Sequence, residues 1–312
     1  MSTKEKNFAS AVIYVHNAEN RINEFLGTII NELEQNFDHS EIICVNDCSN
    51  DRSIEKIKEI SKKAKSTGVS VVNLSYFHGL EFAMNAGVDL AIGDFVFEFD
   101  NTTLDYDRAE IMNIYRKSLE GYDIVAASPK RKERFTSRTF YKVFDHFSKL
   151  DYKMHTESFR VLSRRVINRI TSMNKTVPYR KAIYANAGLK TATIFYQPKD
   201  ESRALLDKSE KIYRSSLAVD SLILFTDFGY RFAKSMTTLM MLISLFMIIY
   251  TIVIYVNAQP VVGWTTTILF LSVAFLGLFG ILAVIIKYLQ LNLELVFRKK
   301  HYSFESIEKL TK

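Results

Sequence analysis

The sequence predicts a mostly parallel α/β domain followed by a two-helix membrane hairpin. Three observations predict it. Through the first 128 residues, short apolar runs alternate with amphipathic segments, as strands joined by crossover helices do. The apolar runs end on polar residues, Asn17, Asn46-Asp47 and Asp100, and in a parallel sheet those carboxyl ends share one ligand-binding rim. After residue 234, two long stretches carry no charge at all.

Ala11 to His16 reads as the first strand. A helix from Glu19 to Leu33 follows, with Ile22, Phe25, Leu26, Ile29, Ile30 and Leu33 at helical spacing. Residues 41–45, EIICV, form the second strand, and 46–52 a polar turn. Ser53 to Lys65 is a helix with Ile54, Ile57 and Ile60 on one face. A strand at 69–74, a helix from Phe77 to Leu90 and a strand at 94–100 come next. A helix from Asp107 to Leu119 and a strand at 122–128 complete the alternation. No GxGxxG follows the first strand and no GxxxxGK[ST] occurs, so dinucleotide and P-loop readings are weak. Beyond residue 129, helices are expected from Thr136 to Leu150 and from Arg164 to Ile170. Two short strands are expected between Lys181 and Pro198.

Residues 207–232 are apolar on one face and carry Arg214, Asp220, Asp227 and Arg231, which fits an amphipathic helix at a membrane interface. Residues 235–256 and 261–286 are uncharged and long enough to cross a hydrocarbon core of roughly 30 Å. Arg231 and Lys234 precede the first span. Lys287, Arg298, Lys299 and Lys300 follow the second, and the turn between them is uncharged. This asymmetry sets both ends in the cytoplasm. The N-terminus shows no signal peptide, so the first domain is expected there too. Four regions result: 1–206, a cytoplasmic domain; 207–234, juxtamembrane; 235–286, two membrane helices; 287–312, a cytoplasmic tail.

The net charge of +7 favours anionic lipid or phosphate-bearing ligands. Between Lys130 and Arg165, eleven Lys or Arg face four Asp or Glu. Nucleic acid is the competing reading for this stretch, but its aromatics fall at core-like spacing and the hairpin argues against it. Cys44 and Cys48 make neither a disulfide framework nor a zinc site.

Several segments, in order, resemble the inverting family 2 glycosyltransferases of the polyprenyl-phosphate sugar synthase type. VIYVHNAEN is similar to that family's first strand and turn. EIICVNDCSNDRS is similar to its second, with Cys48 where glycine is usual. LSYFHGLEFAMNAGVDLAIGDFVFEFD, ESFRVLSRRV, Tyr179-Arg180 and LAVDSLILFTDFGYR continue the likeness over nearly the whole chain. The resemblance implies a GT-A fold with two C-terminal membrane helices in the plasma (inner) membrane. It also implies inverting transfer of a hexose or N-acetylhexosamine from a nucleotide sugar, UDP by preference, to undecaprenyl phosphate. Asn17, Asp47 and Asp100 would hold the nucleotide. Arg160 and Arg180, with Arg131 and Arg138 behind them, would meet the lipid phosphate. Asp100 and Asp105 would carry Mg²⁺ or Mn²⁺. A homo-oligomer such as a tetramer and a flippase partner are the associations it brings.

The chain departs from the family at the metal loop. Thr102 stands where a second carboxylate is usual, and Leu104 where a glutamine is. A hydroxyl is a poorer ligand than a carboxylate for these cations, and a leucine is none. Three outcomes stay open: a metal held with Asp105 or Asp107 shifted inward, a metal-independent site using the basic residues near 130–138, or an inactive homologue that binds lipid or a partner.

Overall fold

The computed structural model describes residues 4–131, 156–172, 179–186, 188–199 and 304–311, with further helical positions scattered from 142 to 292. The predicted alternation is present. β1 (Ala9–Val15), α1 (Ile22–Asn36), β2 (Ser40–Asn46), α2 (Ser53–Ser61) and β3 (Thr67–Leu74) come first. α3 (Leu80–Leu90), β4 (Phe95–Phe99), α4 (Ala109–Leu119) and β5 (Ile124–Pro129) follow. β6 (Phe159–Ser163), α5 (Arg164–Ser172), α6 (Arg180–Asn186), β7 (Thr191–Tyr196) and β8 (Phe304–Lys309) complete the described elements.

The strands form one sheet in the order β7-β5-β6-β4-β1-β2-β3-β8. β3, β2, β1 and β4 are mutually parallel. β6 lies antiparallel between β4 and β5. β1 is buried along its whole length because helices cover both faces. Ala11, Ile13 and Val15 pack with Ile22, Phe25 and Ile29 of α1 and with Ile114 of α4. Val12 and Tyr14 point the other way, toward Ala83 and Met84 of α3 and Val166 of α5. A Cβ on Gly87 would run into the side chains of Val12 and Val45, so glycine lets α3 lie close on the sheet.

Two expectations change. Only one of the two strands expected between Lys181 and Pro198 forms; the other stretch is α6. Its buried residues Arg180, Ile183 and Tyr184, with Tyr179 just before it, follow helical spacing rather than alternation. The tail beyond 287 is not merely a tail, because β8 pairs antiparallel with β3, Val72 opposite Ile307. Asn73 donates to Ser306 Oγ at 2.9 Å, and Lys58 pairs with Glu308.

The helix expected from Thr136 to Leu150, with Arg138, lies outside the described residues apart from Lys142. The two apolar runs also lie largely outside them. Among the described residues no helix is long and apolar enough to cross a membrane. Tyr213, residues 215–220 and the described positions within both runs are helical.

Candidate active site

The ends of β1 and β2 meet at one rim, stitched by hydrogen bonds between their turns. The Asn17 amide donates to Ser49 Oγ at 3.1 Å, and the Asn50 amide donates to Asn17 Oδ1 at 2.9 Å. The Ala18 amide donates to Ser53 Oγ at 2.8 Å. Asn17 and Cys48 both adopt left-handed backbone, with φ of 46° and 54°. Cys48 occupies the position where the family pattern has glycine, and its φ gives the physical reason for that pattern.

Asp47 is fully buried beneath this rim. Its carboxylate accepts from the amides of His78 at 2.7 Å and Gly79 at 2.8 Å, and from the Tyr14 hydroxyl at 3.1 Å. Burial outweighs these hydrogen bonds and raises its pKa. Through these bonds Asp47 ties the turn between β3 and α3 to the end of β2. Gly79 has φ of 85°, and a Cβ there would strike the Tyr213 ring.

A buried charge network lies beside it at the end of β4. Arg160 is directly opposite Glu98 in the β4–β6 ladder. Its guanidinium donates to Glu98 at 2.6 Å, Asp100 at 2.7 Å and Glu157 at 2.9 Å. Arg180, at the start of α6, donates to Glu81 at 3.0 Å, Glu98 at 2.7 Å and Asp100 at 2.8 Å. The Tyr184 hydroxyl adds a bond to Glu98 at 2.8 Å. Burial pushes the Asp100 pKa up, but Arg160 and Arg180 outweigh it and hold the carboxyl well below the usual range. Glu157 is lowered too, by Lys181 and Arg160 against its own burial. Both arginines are 1% exposed. The sequence reading set them against a lipid phosphate; the structure sets them against carboxylates. The cause is that β6 pairs beside β4 with Arg160 opposite Glu98, and that the helix after Tyr179 starts with Arg180 within reach of the same carboxylates.

Asp105 lies on the loop after β4. Tyr196 donates to its Oδ1 at 3.0 Å, and Arg131, just past β5, approaches its Oδ2 at 3.4 Å. Asp107 is on the surface near Lys199, not turned inward. Asp100, Arg160 and Arg180 thus come together, Asn17 and Asp47 share the neighbouring rim, and Asp105 pairs with Arg131.

The model of glycosyl transferase family 2 matches residues 10–171, just over half of the chain. The chain belongs to glycosyltransferase family 2. The chain is similar, at 28% identity over 193 residues, to an uncharacterized glycosyltransferase of Synechocystis; the match spans 60% of each chain, less than two thirds of that relative. It is also similar to a bactoprenol glucosyl transferase of Shigella phage SfV, at 28% identity over 280 residues, covering 86% of this chain and 88% of that one. A glucosyl-3-phosphoglycerate synthase of Mycobacterium tuberculosis, solved with Mn²⁺ and UDP, is 14% identical with a TM-score of 0.49, covering 69% of this chain and 79% of that one.

This family 2 domain contains site side chains that the sequence alone did not single out. Glu81, Glu98, Glu157 and Tyr184 complete the charge network. One signal was legible. In FVFEFD, Glu98 and Asp100 share a strand face with Val96, so a carboxylate in mid-strand had to find a buried cation. Tyr213 had no such signal, because its contact with Gly79 joins residues far apart in the chain.

Proposed function

We propose that this family 2 glycosyltransferase moves a hexose or N-acetylhexosamine from a nucleotide sugar, UDP by preference, onto polyprenyl phosphate at the cytoplasmic face of the plasma membrane. The observation that carries the reading is the position of β8. β8 follows both apolar runs in the chain and lies in the same sheet as β7, so the segment that holds the runs starts and ends at one domain. A membrane hairpin satisfies that requirement, because two crossings bring the chain back to the same side. Helical positions in both runs expose large apolar side chains, Leu239, Leu242 and Phe246 in the first, Leu278, Leu282 and Ile285 in the second. Their spacing of three or four residues makes an apolar stripe suited to lipid. The long match to a bactoprenol glucosyl transferase supports the same acceptor class.

Polyprenyl phosphate is already ionised at neutral pH, so its oxygen attacks the anomeric carbon without a strong general base. As that bond forms, the bond from the anomeric carbon to the nucleotide's diphosphate oxygen breaks, the nucleoside diphosphate leaves with the electron pair, and attack from the opposite face inverts the carbon. The protein's task is to align two anionic partners and offset their charge. The Asn17 and Asp47 turns shape the nucleotide side. The Arg160–Arg180 network holds Asp100 in a fixed, charge-compensated position at the reacting end. In this reading the exposed Lys130, just past β5, meets the acceptor's phosphate.

The test is transfer of radiolabel from a panel of nucleotide sugars to undecaprenyl phosphate in nanodiscs, with Asp100→Ala as control. Lipid-phase label from one donor, lost in the control, is the expected result. No label from any donor with folded protein would sink the reading.

A further inference from the structure

The divalent cation implied by the fold family does not fit the residues at the end of β4. One Asp100 oxygen accepts from Arg160 at 2.7 Å and the other from Arg180 at 2.8 Å. Thr102 and Leu104 offer a neutral hydroxyl and no ligand at all. Asp105 is engaged by Tyr196 and Arg131. Among the described residues, no three His, Cys, Asp or Glu side chains converge as a metal site. A cation at Asp100 would share a carboxylate already bound by two buried guanidinium groups and sit beside Arg160, Arg180 and Lys181. Coulomb repulsion from those three cations opposes its binding.

We propose that Arg131 binds the diphosphate of the nucleotide donor, doing with a guanidinium what a divalent cation does in the family's usual site. The inference rests on the nucleotide-sugar reading above. Arg131 Nη1 is buried and has no hydrogen-bond partner among the described residues. Among the described residues its Nη2 has only the long 3.4 Å contact with Asp105. A buried cationic donor without a partner is costly, and because the side chain keeps 24% exposure, an anion with paired oxygens can reach the guanidinium and satisfy it. A diphosphate supplies them, and the planar fork takes two at once. The Arg160–Arg180 clasp serves the other purpose of a metal. It offsets part of the charge on Asp100, so the incoming diphosphate does not meet a bare carboxylate.

The full chain in nanodiscs is titrated with Mn²⁺ and followed by electron paramagnetic resonance, alone and with UDP or GDP. Nucleotide affinity is then measured calorimetrically in Mn²⁺ and in EDTA. Weak, millimolar Mn²⁺ binding is expected, with nucleotide affinity that EDTA leaves unchanged. Arg131→Ala should bind nucleotide at least about tenfold more weakly, with partial recovery in Arg131→Lys, because the charge returns without the fork. Stoichiometric micromolar Mn²⁺ binding, or nucleotide binding abolished by EDTA, overturns the assignment and leaves the transferase reading standing. A folded Arg131→Ala variant with full nucleotide affinity does the same. A chain that binds neither nucleotide in any condition overturns both.

Discussion

Replacing Arg160 by methionine should destabilise the domain by about 3–5 kcal/mol, the range for removing one partner from a buried ion pair. The magnitude follows from the network. Four carboxylates, Glu81, Glu98, Asp100 and Glu157, face three cations, Arg160, Arg180 and Lys181. Methionine fills much of the arginine stem's volume but leaves those four carboxylates with two cations. At about 2–4 °C per kcal/mol for a domain of this size, the melting temperature should fall by roughly 10 °C. The pH dependence has a definite sign. Asp100 and Glu157 have depressed pKa values in the folded protein. A depressed carboxyl contributes stability above its unfolded pKa, about 4, and loses it as pH falls through the folded value. The parent therefore keeps this contribution in mild acid. In the variant the same carboxylates take up protons as pH falls, which relieves the unpaired charge. Its deficit should shrink between pH 7 and about pH 4. Differential scanning fluorimetry of the full chain in nanodiscs across that range reads both effects. A variant within about 2 °C of the parent at pH 7, or a deficit that stays constant with pH, would refute a mutually neutralising buried network.

Cys48→Gly should stabilise the fold by about 0.5–1 kcal/mol in urea denaturation, since relief of left-handed strain of roughly 1–2 kcal/mol exceeds glycine's entropic cost of about 0.5–1 kcal/mol. Gly79→Ala should lower both melting temperature and nucleotide affinity, because its Cβ would strike the Tyr213 ring; adding Tyr213→Ala should restore part of the melting temperature, and strict additivity would count against that contact. Deleting residues 304–312 should bare the β3 edge and remove the Ser306 partner of Asn73, giving aggregation on size-exclusion chromatography; a monodisperse, equally stable truncation would show that β8 is dispensable.

The order and type of the first nine elements were legible in the sequence. Apolar runs between amphipathic segments admit little besides strands joined by crossover helices, and burial on both faces leaves β1 without polar alternation. The polar strand ends were legible as well, so Asn17, Asp47 and Asp100 were found before their surroundings were known. Their partners were not. The carboxylate partners of Arg160 and Arg180 were not legible, because a guanidinium suits a carboxylate as well as a phosphate and sequence spacing does not distinguish them. The second expected strand after Lys181 failed because a short apolar segment fits either period.

What the sequence determined by itself is the periodicity of each element, the turn chemistry at residues 46–52 and the two uncharged runs, since all of these are local. Only the tertiary structure decided which charges meet. Glu98 and Arg160 face each other because β6 enters the sheet antiparallel to β4 in one register. Arg180 reaches the same carboxylates from α6, some eighty residues away in the chain. The return of β8 to β3 is likewise a long-range pairing, and it ties the end of the chain to the catalytic sheet. Burial then fixes these pairings, because away from water a charge must find its counter-charge or lose its ionisation.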